Sequence, residues 1–120
     1  MRYLYACLMS LSLLAAVPTG AFAHALLEDA QPASGAVLKT APATVQLQFS
    51  KPIEPTFSRV RVMNADGQRV DDDKPVVAAQ GRKTIQVGLA SLTPGTYKVV
   101  WRIVAQDGHH AQGEYSFTVK

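Results

Sequence analysis

Five stretches of this chain alternate apolar and polar residues with a period of two. Val45, Leu47 and Phe49 alternate with Gln46 and Gln48, and Val60 and Val62 with Arg59 and Arg61. Ile85, Val87 and Leu89 form a third set, and Tyr97, Val99, Trp101 and Ile103 a fourth. Tyr115, Phe117 and Val119 close the series. Successive side chains of a strand point to opposite faces, so each set lays one face on a core and turns the other to water. Turn formers punctuate the pattern at Pro32 and Gly35, Pro42, Pro52 and Pro55, Asp66-Gly67, Gly81, Pro94-Gly95, Asp107-Gly108 and Gly113. After position 23, no run of ten residues carries a 3.6-residue apolar stripe.

This spacing predicts an all-β fold, an Ig-like Greek-key sandwich of about seven antiparallel strands. Its expected core is Leu47, Phe49, Val60, Val62, Ile85, Val87, Tyr97, Val99, Trp101, Phe117 and Val119. Pro52 ends the strand of Val45 to Phe49, because proline cannot donate to a ladder. Asp71-Asp72-Asp73 reads as a solvated loop. An EF-hand calcium loop would need a glycine turn and a downstream glutamate, and both are missing.

The start of the chain follows another pattern. Arg2 is basic, Leu4 to Val17 is mostly apolar, and Ala21-Phe22-Ala23 has the small-x-small form of a cleavage site. Residues 1–23 are therefore expected to be a cleaved signal peptide, and residues 24–120 an exported, periplasmic domain. The apolar stretch is short for a bilayer core of ~30 Å. Cys7 precedes most of that stretch, where a lipid-modified cysteine would follow it. Since Cys7 leaves with the leader, the domain holds no disulfide and must rely on packing, helped by any ligand it binds.

Charge removes one class of partner. The formal charge is +3, or +2 without Arg2, and the basic residues form no run that could track a phosphate backbone. Nucleic acid is not an expected partner. Residues 24–120 suffice for one hydrophobic core but not for two domains.

Cleavage after Ala23 would also expose chemistry. It makes His24 the first residue, with a free α-amine beside its imidazole, a pair able to chelate a metal. The other histidines are His109 and His110, in Asp107-Gly108-His109-His110. Asp107 and His109 are two apart, so on an extended backbone their side chains share a side. With His24 they offer an amine nitrogen, two imidazole nitrogens and a carboxylate oxygen. That nitrogen-rich set suits tetragonal Cu(II), while zinc would prefer a tetrahedral arrangement. Asp-Gly is also an ordinary turn dipeptide, and periodicity does not bring His24 near the other two.

The run His24-Ala25-Leu26, then Pro32-Ala33-Ser34-Gly35, then Val45-Gln46-Leu47-Gln48-Phe49-Ser50 resembles the CopC family of periplasmic copper-binding proteins. So do Leu92 to Arg102, Asp107-Gly108-His109, and the closing Gly113 to Val119. The resemblance covers essentially all of residues 24–120. It implies a Greek-key sandwich holding one Cu(II) ion at His24, Asp107 and His109. It also implies a part in copper resistance or homeostasis, with a CopD-type inner-membrane copper transporter as partner. A monomer is expected.

Two departures narrow the expectation to a Cu(II) site alone. Some members hold Cu(I) in a methionine-rich loop, but Asn64 to Gln80 contains no methionine, and Met63 is the only one after the leader. Soft Cu(I) needs several thioethers. Some members also carry a carboxylate after the Phe-Ser of the second strand. Here Lys51 stands there, with Glu54 as a weak substitute. His110 is read as a surface residue. Two other functions stay open: an oxidative enzyme built on a copper brace, and an Ig-like interaction module without metal. An Asp107 ligand and short loops count against the first.

Overall fold

Each of the five alternating stretches forms a strand. The computed structural model describes residues 26–120, so His24 and the expected leader and cleavage site lie outside the described residues. The strands are β1 (Leu27–Gln31), β2 (Val37–Leu38), β3 (Thr44–Phe49), β4 (Arg59–Met63), β5 (Val76–Val77), β6 (Thr84–Gly88), β7 (Gly95–Val104) and β8 (His110–Val119). One 3-10 turn, Pro55–Phe57, is the helical content of the described residues.

Two four-stranded sheets result, ordered β1-β3-β6-β5 and β2-β8-β7-β4. Among the described residues the chain passes between the sheets five times, including once from β3 to β4 and once from β6 to β7. Since β3 pairs with β6 and β4 with β7, these two crossings interlock, and the sandwich is a Greek key. One pairing departs from the antiparallel expectation. β2 runs parallel to β8, with Val37 opposite Thr118 and Leu38 opposite Val119.

The expected core is the observed one. All eleven residues named from the pattern are buried, and Val45, Ile53, Ile103, Ala105 and Ala111 join them. Tyr97 and Phe117 face each other across β7 and β8 and stack at 5.5 Å. The Tyr97 hydroxyl donates to the Thr93 carbonyl, tying the start of β7 to its own lead-in.

The two outer faces differ in charge. The first sheet presents Gln46, Gln48 and Gln86, with acidic Glu28 and Asp29 on edge strand β1. The second presents Arg59, Arg61, Lys98 and Arg102 against one acid, Glu114, and Arg59 lies directly opposite Arg102.

The acidic run needs correcting. Asp72 and Asp73 are exposed, but the Asp71 side chain has no accessible surface. Its carboxylate accepts from the Val62 amide at 2.8 Å, the Asp73 amide at 3.1 Å, and Arg69 Nε at 3.0 Å. A segment read as solvated thus holds an inward carboxylate that pins the Arg69–Asp73 loop to β4.

Candidate metal centre

At one end of the sandwich, the connection from β3 to β4 is clasped to the end of β7. Phe49 and Ile53 bury their side chains two residues either side of Lys51, at 1% and 0% exposure. The Glu54 amide donates to the Val104 carbonyl at 2.8 Å, and the Gln106 amide to the Pro52 carbonyl at 2.9 Å. Ser58, fully buried, donates to the Glu54 carbonyl at 2.8 Å and accepts from the Val104 amide at 3.1 Å. The clasp sets Lys51 beside Asp107 although 56 positions separate them.

The β7–β8 hairpin tip carries the candidate donors. The Gly108 amide donates to the Ala105 carbonyl at 2.9 Å, and the Ala105 amide to the His109 carbonyl at 2.8 Å. Gly108 sits at φ +89°, left-handed backbone that glycine adopts without a Cβ penalty. Asp107 Oδ1 accepts from the His109 amide at 3.0 Å, closing an Asx turn. The two side chains do converge, but through this turn and not through extended backbone.

Three atoms meet there. Asp107 Oδ2 lies 2.8 Å from Lys51 Nζ and 2.8 Å from His109 Nδ1. Lys51 Nζ lies 3.1 Å from His109 Nδ1. With its lone pair free, Nδ1 joins Oδ2 in accepting from the ammonium. With a proton on it, Nδ1 donates to Oδ2, and Lys51 is held through the carboxylate alone. Either way Oδ2 is the shared acceptor. Lys51, followed by the His109 amide and ring, holds the Asp107 carboxyl well below the usual carboxylate range. All three side chains are solvent-accessible, so an ion from solution can reach them.

The structure brings Asp107 and His109 together. It sets His110 elsewhere, exposed at the start of β8 in a groove with Thr56, Phe57, Arg59, Arg102 and Val104. Glu54 does not complete the pair, because no group of three His, Cys, Asp or Glu suited to a metal occurs among the described residues. Read from the sequence, Lys51 was a lost carboxylate. Its contact with both donors was missed, and no local pattern signals it, because the clasp that creates it is a tertiary pairing.

A CopC domain model matches residues 27–120. The chain is 34% identical over 104 residues to a copper transport protein, CutJ, of Bacillus subtilis, covering 86% of this chain. It spans about a fifth of that longer relative, 19%. It is 36% identical over 104 residues to copper resistance protein C of Pseudomonas syringae pv. tomato, covering 82% of each. Among solved structures, it resembles a CopC from Methylosinus trichosporium OB3b at TM-score 0.75 and 29% identity. That match covers 81% of this chain and 94% of the other.

Proposed function

Because this chain belongs to the CopC-domain family, we propose that it is a periplasmic copper carrier and not an enzyme. It binds one Cu(II) ion through the His24 amine and imidazole, Asp107 and His109. It buffers the ion and hands it to a CopD-type inner-membrane transporter, in copper resistance or homeostasis. The observation that carries this reading is the convergence of Asp107 Oδ2 and His109 Nδ1 on one cation, Lys51 Nζ, at 2.8 and 3.1 Å. Two hard-to-borderline donors aimed at a common point are what a copper ion requires of the hairpin tip.

The reach of His24 supports the same reading. The Ser50 amide donates to the Leu26 carbonyl at 2.7 Å, next to Lys51. His24 is two residues upstream of Leu26, within about 7 Å of extended chain. Signal cleavage after Ala23 supplies the α-amine, whose ordinary pKa of ~7.7–8.0 lets copper displace its proton near neutral pH. The lone Met63 and the methionine-free Asn64 to Gln80 loop favour Cu(II) over Cu(I) as cargo.

The test is a Cu(II) titration of the chain beginning at His24, beside the same chain with one residue added in front. The first should bind one ion tightly, with proton release and a weak blue d–d band. The second keeps every side chain but turns the amine into an amide, and should lose most affinity and change its EPR parameters. Equal affinity and spectra would redraw the site around side chains alone. No saturable binding by either chain would leave an Ig-like interaction module.

A further inference from the structure

Lys51 is the one cation in contact with both candidate donors among the described residues. It is also the one of the three tip side chains whose charge opposes an arriving copper ion. Nζ lies 2.8 Å from Asp107 Oδ2 and 3.1 Å from His109 Nδ1, so it stands where a ligand to both donors would stand. Its backbone cannot drift away, because buried Phe49 and Ile53 flank it and Pro52 is clasped to Gln106.

We propose that Lys51 is a resident counter-cation of the Asp107–His109 pair, displaced by the arriving copper ion, and that this exchange sets how readily the protein gives copper up. The proposal rests on the copper-carrier reading. Before loading, the ammonium neutralises Asp107 and keeps the two donors facing one point. On loading, Cu(II) takes over those contacts and Lys51 must swing toward solvent, which its half-exposed side chain allows. It remains tethered within a few ångströms as a like charge beside the metal. Coulomb repulsion then weakens the loaded state, and the ammonium is at hand to retake both donors as copper leaves. A residue of this kind lowers retention and speeds transfer, which suits a carrier more than a storage site.

Three chains beginning at His24 test this: wild type, Lys51→Gln and Lys51→Arg. Cu(II) affinity is read by competition with a chelator, and the dissociation rate by stopped-flow transfer to excess EDTA. Circular dichroism confirms that each is folded, as expected for changes at a half-exposed side chain. Lys51→Gln should bind on the order of tenfold more tightly, the scale of one modestly screened charge, and release copper correspondingly more slowly. Lys51→Arg keeps the cation and should stay near wild type in both. Amide NMR of the metal-free proteins gives a second readout: Lys51→Gln should shift Asp107 and His109, and Lys51→Arg should shift them less. If wild type binds Cu(II) and Lys51→Gln matches it in affinity and rate, or binds more weakly, the counter-cation role is overturned while the carrier reading stands. If Lys51→Arg gains affinity as Lys51→Gln does, charge is not the cause and the role is likewise overturned. Failure of wild type to bind Cu(II) would overturn both.

Discussion

Phe49 of the first sheet and Trp101 of the second meet edge to face across the sandwich, ring centroids 5.2 Å apart at 68°. Both are at 1% exposure, and Lys51 lies two residues beyond Phe49. The inter-sheet contact therefore anchors the end of the strand that leads into Lys51. Trp101→Ala should cost ~3–5 kcal/mol through lost transfer energy and the cavity left behind. Urea unfolding measures the loss.

Asp71 links stability to pH. Burial opposes its ionisation, but the Arg69 hydrogen bonds and the Val62 and Asp73 amides outweigh it, and its pKa is lowered. A depressed folded pKa adds stability above the unfolded value of ~3.9, and that stability is lost as pH falls through the folded pKa. Asp71→Asn should cost roughly 1–3 kcal/mol at neutral pH, from strained or unsatisfied hydrogen bonds. In urea titrations at several pH values, the gap to wild type should narrow below pH ~4. A gap that widens in acid would contradict this account.

Gly108 tests the tip itself. A Cβ there would meet no atom within 4 Å, so only the backbone at φ +89° resists substitution. Gly108→Ala should therefore cost about 1–2 kcal/mol, or relax the turn instead. NMR of the Asp107 and His109 amides separates these outcomes, since relaxation would break the Asx turn and loosen the donor pair.

At the candidate metal centre, His109, Asp107 and His110, close in sequence, should rank clearly. If the proposed site holds, His109→Ala should weaken Cu(II) binding by orders of magnitude, because one of its nitrogen donors would be lost. Asp107→Ala should weaken it less, since water can replace one oxygen donor. His110→Ala should change little, as its ring lies in the arginine-lined groove. Isothermal titration of the three variants gives the order; a damaging His110→Ala beside a silent His109→Ala would reverse the assignment.

Half-buried alternation made β3, β4, β6, β7 and β8 legible, together with the core they enclose. It could not reveal β1, whose half-buried Leu27 and Ala30 are three apart because a register shift falls between Leu27 and Asp29. Nor could it reveal β2 and β5, which are two residues long and show no period. The run of three aspartates misled because composition alone does not show which carboxylate turns inward. At the site, Asp107-Gly108-His109 was legible as a local motif, although its geometry comes from an Asx turn. Lys51 was not, because its contacts span 56 and 58 positions.

The unequal outer faces give the molecule a direction for diffusing ions. Arg59, Arg61, Lys98 and Arg102 crowd one sheet, and the direct Arg59–Arg102 opposition leaves their field poorly compensated. A divalent cation nearing that side is slowed by repulsion that fades over about a Debye length, ~8–10 Å at ordinary ionic strength. Over the opposite sheet, glutamines present no such barrier, and Glu28 and Asp29 attract. Of the two strand faces, that of β1 and β3 therefore repels a divalent cation less than the arginine face does.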